Sequence, residues 1–416
     1  MKKIFYLISS GLFLVILFTV NHASAQGTLR ADSISMGPGY ASEVYYSMAN
    51  GNVKTVLRDQ WDIAFRTGIM SSSILTNDGT GVTLYTYPKA DTAGWATVDT
   101  SGLFSWPQMF NDPNDWENGA FSRNAKGHPD YGWGIYNQQT HNLTGDSIFI
   151  IQLRDGSFKK LWIRMKHSSA DTYDFRYANL DGTNDQTISL NLTTYQSVDF
   201  YGYDLKNNVE VDFQPAKDSW DILFTKYKGI NTGLPYTVTG VLSNDKLMVK
   251  RVAGVPWSFN NWWQNEYDST RSVIGYDWKT FDGTGYSVDD SLVFFIQNKA
   301  GDIYKLYFTK FEGSATGKVV FNIGKVSSVG IQDQKPLETG LSVFPNPAGE
   351  TITVATADLP QGDLITLMNL SGQVIQQKKP AGTQTTFDVS KINPGIYFIR
   401  LVSPQGTTSK KIIISR

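Results

Sequence analysis

Trp61-Asp62-Ile63-Ala64-Phe65 returns further along the chain as Trp220-Asp221-Ile222-Leu223-Phe224. In each copy the large residues fall at every second position, so Trp61, Ile63 and Phe65 are expected on one face of a β-strand. Three more anchors recur in the same order. Tyr131-Gly132-Trp133 is matched by Tyr276-Asp277-Trp278, Asp146-Ser147-Ile148 by Asp290-Ser291-Leu292, and Lys160-Leu161-Trp162 by Lys305-Leu306-Tyr307. Four ordered anchors define a duplication, read as one unit over residues 26–196 and a second over 197–326. Ile148 to Leu153, then Arg154-Asp155-Gly156-Ser157, then Phe158 to Lys166 is a hairpin with an Asp-Gly turn. Its return strand is expected to bury Leu161, Ile163 and Met165 and to turn Lys160, Trp162, Arg164 and Lys166 to water. No long window has helical periodicity. The predicted class is all-β, with two tandem antiparallel β-sheet units.

The chain has 416 residues, with 37 Lys and Arg against 38 Asp and Glu and a formal charge of −1. A nucleic-acid binder normally carries a basic surplus, so that class is excluded. Cysteine is absent, which removes disulfides, thiolate metal sites and cysteine nucleophiles together. Lys2 and Lys3, the apolar stretch from Ile4 to Val20, and Ala23-Ser24-Ala25 read as a signal peptide over 1–25, cut before Gln26. Ser9, Ser10 and Gly11 interrupt that stretch, and a spanning helix needs about 20 apolar residues. No membrane span is expected in the mature chain.

A polar linker over 327–340 introduces a block of short β-branched runs and turns at 341–416, which predicts a small Ig-like antiparallel β-sandwich. Four motifs lie in order there: Phe344-Pro345-Asn346-Pro347-Ala348, Leu370-Ser371-Gly372-Gln373-Val374, Pro394-Gly395-Ile396-Tyr397-Phe398-Ile399, and Lys410-Lys411-Ile412-Ile413-Ile414. The block resembles the type A C-terminal sorting domain of the type IX (Por) secretion system of Bacteroidetes-type bacteria. The resemblance implies that Pro345, Asn346, Pro347, Gly372, Gly395, Tyr397, Lys410 and Lys411 belong to the sorting signal. It also implies that the type IX machinery is a partner and that the chain passes the periplasm to be secreted or displayed on the outer membrane. Removal of this domain usually follows.

The duplicated region is similar to the HmuY family of secreted haem-binding β-proteins. Val44-Tyr45-Tyr46-Ser47 with Gly51, Trp61 to Arg66, and the hairpin from Ile148 to Met165 carry the likeness; Tyr203-Asp204-Leu205, Trp220 to Phe224 and Asp302 to Phe308 repeat it. Haem-binding members supply two axial histidines or methionines while an apolar cleft covers the macrocycle. The resemblance therefore implies haem as cofactor and a haem donor or receptor as partner. The mature histidines, His128, His141 and His167, all fall in the first unit, and Glu312 stands at the place of His167 in the second. His141 and His167 are the candidate ligands, with Met165 and Met109 in reserve; the alternative is that all are ordinary loop, strand-end or core residues.

A glycan-binding or adhesive surface module is the other functional class. Trp257-Ser258-Phe259-Asn260-Asn261-Trp262-Trp263-Gln264-Asn265 mixes flat rings with amides, and Trp116 lies among Asn114, Asp115, Glu117 and Asn118. Sugar rings stack their apolar faces on indoles and use amides for their hydroxyls. Trp262 and Trp263 should point to opposite sides of an extended segment, leaving one of them open. No enzyme motif is present, so a non-enzymatic protein is expected. Asp289-Asp290 reads as a strand entry. Asp112, Asn114, Asp115 and Glu117 are oxygen ligands without the spacing of a calcium loop.

Overall fold

The computed structural model describes residues 29–245, 247–263, 266–327, 341–355, 364–370, 374–380, 382–403 and 406–415. The signal peptide, the linker beyond Ser327, and Gln264, Asn265 and Gly372 lie outside the described residues. Residues up to 327 belong to one compact body and those from 341 to another. No helix among the described residues is long and apolar enough to cross a membrane.

The principal strands of the first body fall into two runs. The first is β1 (Arg30–Ser35), β2 (Ser42–Ser47), β3 (Gly51–Leu57), β4 (Ile63–Arg66), β5 (Ile74–Thr76), β6 (Thr83–Thr86), β7 (Phe149–Gln152), β8 (Phe158–His167) and β9 (Thr172–Asn179). The second is β10 (Gln186–Asn191), β11 (Phe200–Asp204), β12 (Val209–Val211), β13 (Ile222–Asn231), β14 (Leu234–Ser243), β15 (Met248–Ala253), β16 (Leu292–Gln297), β17 (Ile303–Phe311) and β18 (Lys318–Ser327).

These strands build two sandwiches of matching topology. One sheet has the order β10-β9-β8-β7-β6 and faces a second of order β12-β11-β4-β5. In the other sandwich, β1-β18-β17-β16-β15 faces β3-β2-β13-β14. Each strand of the first run thus has its counterpart nine strands later. The sandwiches, however, do not follow the sequence boundary expected at 196/197. Strands β1 to β3 complete the second sandwich, with Arg30 opposite Ile323 and Tyr46 opposite Ile222. Strands β10 to β12 complete the first, with Tyr203 opposite Ile63. By topology the second repeat opens with β10, ahead of residue 197, and each repeat lends its opening strands to the other's core, because those strands complete its sheets.

Inside the first sandwich Ile63, Phe65, Phe149, Leu161, Ile163, Phe175 and Tyr203 form a buried core; in the second, Val44, Tyr46, Ile222, Phe224, Phe294, Leu306 and Phe321 do the same. Full burial of one such aliphatic or Phe side chain is worth about 1.5–3 kcal/mol. The repeated tryptophan departs from the expected alternation. Strand β4 starts only at Ile63, after a bend at Asp62, and Trp61 turns to the opposite face, where it packs with Ala64 and stacks on Phe213 at 4.8 Å. Trp220 does likewise against Tyr45 and Leu223.

A second departure lies on β8. The register shifts between Ile163 and Met165, a β-bulge at Arg164 that reverses the alternation beyond it. Lys166, expected in water, is fully buried and ion-paired with Asp171 at 3.3 Å, while Met165 and His167 are only partly buried. Lys160 is buried as well. A loop from 89 to 107 covers its side of the sheet, and its Nζ donates to the Trp95 carbonyl at 2.8 Å. Lys305 repeats this against the Trp257 carbonyl at 2.6 Å.

Among the described residues the second body is a sandwich of seven strands, β19 (Ser342–Phe344), β20 (Thr351–Ala355), β21 (Leu364–Asn369), β22 (Val374–Lys378), β23 (Gln384–Asp388), β24 (Gly395–Ser403) and β25 (Gly406–Ile414). Sheets β19-β20-β23 and β22-β21-β24-β25 enclose Ile352, Val354, Ile365, Leu367, Phe387, Ile399 and Ile412. The Ig-like sandwich read from the sequence is the one observed.

Candidate functional site

Short strand Leu143–Gly145 pairs with β8, Leu143 opposite Lys166, and brings the histidine candidates to one sheet end. The Asn142 side-chain oxygen there accepts the Ser168 N–H at 3.1 Å. His141, in the left-handed region at φ 59°, is exposed, and its Nδ1 lies 2.6 Å from the Tyr136 hydroxyl. His167 Nε2 lies 2.8 Å from Asp174 Oδ2. His128 Nε2 is 3.3 Å from the Gln138 amide. Met109 belongs to the first core and Met165 does not, owing to the bulge. His167 and Glu312 hold equivalent places, each preceding a short 3-10 turn, and Glu312 is engaged by Lys310 and Thr316.

The aromatic loop from Trp257 lies over the outer face of the β15–β17 sheet. Trp257 stacks on Tyr307 at 4.9 Å, and Trp257, Phe259, Trp262 and Tyr267 cover Val293, Phe295 and Ile303. The Trp262 carbonyl takes the Tyr267 hydroxyl at 3.0 Å, and Lys250 Nζ donates to the Asn261 carbonyl at 2.9 Å. The segment turns at Trp262 and Trp263 instead of running extended, so the indoles do not part to opposite sides: Trp262 packs down, and Trp263, 39% exposed, stands edge-on against it at 5.6 Å.

Trp116 is not part of that surface. Its ring is wedged between the outer faces of the β4 and β13 sheets, touching both sandwiches, with the Arg271 guanidinium 4.2 Å above it and its Nε1 donating to the Ser243 carbonyl at 2.9 Å. It is a seam residue. Around it Arg66 pairs with Glu117 at 2.9 Å and Asp245 at 3.0 Å. Asp112 accepts from the Asn114 and Asn118 amides and Arg123, and Asn114 from Ser272, so the acidic cluster is spent on internal bonds. Asp289 accepts the Ser291 N–H and hydroxyl at the entry to β16.

The seam also holds a cavity of about 560 Å³ that sequence reasoning missed. Its walls come from Arg58 and Asp59 after β3, the Gly79–Gly81 turn, Arg154 at the β7–β8 turn, and Lys226 and Thr237 on the β13–β14 hairpin. Gly79 is required there, because a Cβ would meet the Lys226 carbonyl oxygen at 2.0 Å. No local motif signals this site, since its residues lie at 41, 57–59, 79–81, 154, 226 and 237 along the chain.

In the second body Asn346 ties the sorting signal to the last strand. Its Oδ1 accepts the Ile413 N–H at 2.8 Å and its Nδ2 donates to the Lys411 carbonyl at 3.1 Å. The Tyr397 hydroxyl donates to the Asn393 carbonyl at 2.8 Å, Gly395 pairs with Ile414, and Lys410 and Lys411 are exposed on β25. Pro345 and Pro347 flank Asn346 in the crossing from β19.

Fold and sites together define an all-β protein with two strand-exchanging sandwiches and a separate Ig-like C-terminal domain. Residues 342–415 match the family described as secretion system C-terminal sorting domain. That domain is the sorting module of type IX secretion, and it indicates export across the outer membrane, to the cell surface or the medium. No curated protein matches the chain. Among solved structures, one match is PorZ, an essential surface component of the type IX secretion system of Porphyromonas gingivalis. It is 11% identical at a TM-score of 0.18, covering 68% of this chain and 44% of PorZ. Dimeric latent PorU of the same organism is 14% identical at a TM-score of 0.15, covering 66% of this chain and 32% of PorU. The chain therefore spans less than half the length of either structure, and at these scores neither assigns a fold or an activity.

Proposed function

We propose that the chain is a non-enzymatic binding protein, carried through the periplasm by its leader and across the outer membrane by its sorting domain, that recognises glycans through the Trp263 platform. The carrying observation is the open indole of Trp263, braced by Trp262 and following Asn260 and Asn261 in sequence. An exposed Trp is a costly surface residue unless something covers it, and the apolar face of a pyranose fits it. Retention of the chain on cellulose, chitin and starch tests the reading. Trp263→Ala should abolish retention on the polysaccharide that holds the parent chain while leaving the melting temperature unchanged. No retention on any of the three, or retention indifferent to Trp263, overturns it.

A haem reading has its own support in the HmuY-like framework and in the convergence of His141 and His167 at one end of the β8 sheet. Haem capture would use His141 Nε2 and His167 Nδ1, the ring nitrogens opposite those that face Tyr136 and Asp174. Titration with haemin would then give a Soret change that His141→Ala and His167→Ala remove. A flat titration at micromolar protein discards it.

A further inference from the structure

The seam cavity carries a different ligand chemistry. Arg58 is buried; its Nε donates to the Tyr40 carbonyl at 2.6 Å and its Nη1 to the Gly79 carbonyl at 2.9 Å, two neutral acceptors. Lys226 is partly buried, and neither cation forms an ion pair among the described residues. Burial, then the like charges of Arg58 and Lys228, hold the Lys226 ammonium below the usual lysine range. The acids whose charges act on Arg58 are Glu43 and Asp59; Glu43 is buried, burial pushes its carboxyl up, and its oxygens take the Tyr45 and Thr225 hydroxyls at 3.0 Å each. Arg154 at the same wall spends Nε and Nη2 on Asp62 and Asp204, and its buried Nη1 has no partner.

Arg58, Lys226 and Arg154 share the wall with one carboxylate, Asp59, and this cationic excess is unfavourable until an anion offsets it. A cavity of about 560 Å³ is also larger than a bare inorganic anion needs and lies in the range of small-molecule pockets. The Thr237 hydroxyl on its wall adds a neutral hydrogen-bonding group, and Leu57 an apolar one. We propose that this seam cavity binds a small acidic sugar, its carboxylate or sulfate held by Lys226 and Arg58 and its ring by Thr237 and Leu57. The site shares no residue with the Trp263 platform and does not depend on it.

Calorimetric titration of the full chain with D-glucuronate, glucose 6-sulfate and neutral glucose, at constant ionic strength held with sodium chloride, tests this. Saturable binding of glucuronate or the sulfate, with none of glucose, is the expected result, and which acid binds identifies the oxyanion. Lys226→Gln should weaken that binding at least tenfold without shifting the melting temperature. Asp59→Asn, which removes the one carboxylate on the cavity wall, should strengthen it severalfold. Absence of binding to both acids, equal binding of glucose, or affinities that neither substitution changes overturn the proposal.

Discussion

The Asp62 carboxylate accepts the backbone N–H of Leu205 at 2.9 Å, joining the repeated Trp-Asp motif of one repeat to the end of a strand from the other. The duplicate bond runs the opposite way, from the Met48 N–H to Asp221 at 2.7 Å. Main-chain bonds reinforce both crossings, Asp62 N–H to the Tyr203 carbonyl and Asp221 N–H to the Tyr46 carbonyl. Asn77 and Asn244 then clamp the carbonyls of Trp61 and Trp220. The motif that reveals the duplication is the latch that locks the exchanged strands.

The two latches should differ in cost. Asp62 is fully buried and also pairs with Arg154 at 3.1 Å, so Asp62→Ala loses the Leu205 bond and leaves Arg154 with Asp204 alone, and should cost about 2–4 kcal/mol. Asp221 makes no ion pair among the described residues, and Asp221→Ala should cost about 1–2 kcal/mol for its lost bond. Urea unfolding of both variants measures the difference; equal losses would contradict the assignment.

Strand exchange predicts the effect of an N-terminal truncation. Removing residues 29–57 takes away β1 to β3, exposing the edges of β18 and β13. Amide hydrogen exchange should then show lost protection throughout β13 to β18, residues far from the deletion in sequence. Two independent units would confine the loss to the N-terminal half.

Stability should fall as pH rises from about 4 to about 6. Burial pushes the Asp78 carboxyl up to about 6 from 3.8, against the opposing Asn111 N–H at 3.0 Å and the Arg271 charge; Asp62 moves the same way, chiefly through burial. A carboxyl that holds its proton more tightly when folded adds stability below its unfolded pKa and loses that contribution as pH rises through the folded value. Asp78→Asn should remove about 1–3 kcal/mol of the drop over this window. Denaturant midpoints between pH 4 and pH 7 give the slope, and an unaltered slope in the variant would refute it.

In the sorting domain, Asn346→Ala removes two bonds to β25, a loss of about 1–3 kcal/mol. Lys410 and Lys411 are exposed on the strand, and Lys411 meets the signal segment through its backbone carbonyl. The variant should accumulate inside the cell, and immunoblots of cell and medium fractions would report it. Undiminished export would separate this tie from sorting.

Much of the molecule was legible from short-range pattern. Ile63 and Phe65 alternate into a core, the Asp155-Gly156 turn closes its hairpin with Gly156 at φ 84°, and the C-terminal runs make their sandwich. The readings that failed each met a local exception or a distant partner. Trp61 turned outward because the strand begins after it. Met165 and Lys166 changed sides because one bulge at Arg164 resets the alternation. Trp116 looked like a sugar platform, yet the partners that cover it lie more than a hundred residues away at Ser243 and Arg271.

By itself the sequence determined the all-β class, the duplication, the absence of cysteine chemistry and the export domain, since strand period, repeated motifs and composition are properties of neighbouring residues. Tertiary structure alone decided that β1 to β3 and β10 to β12 cross between sandwiches, and that Arg58 and Lys226 meet in one cavity. The reason is that sheet edges pair by complementarity of backbone hydrogen bonds and buried faces, and two similar repeats offer each strand two nearly equivalent places. Chain order does not choose between them; the combined packing of the whole body does.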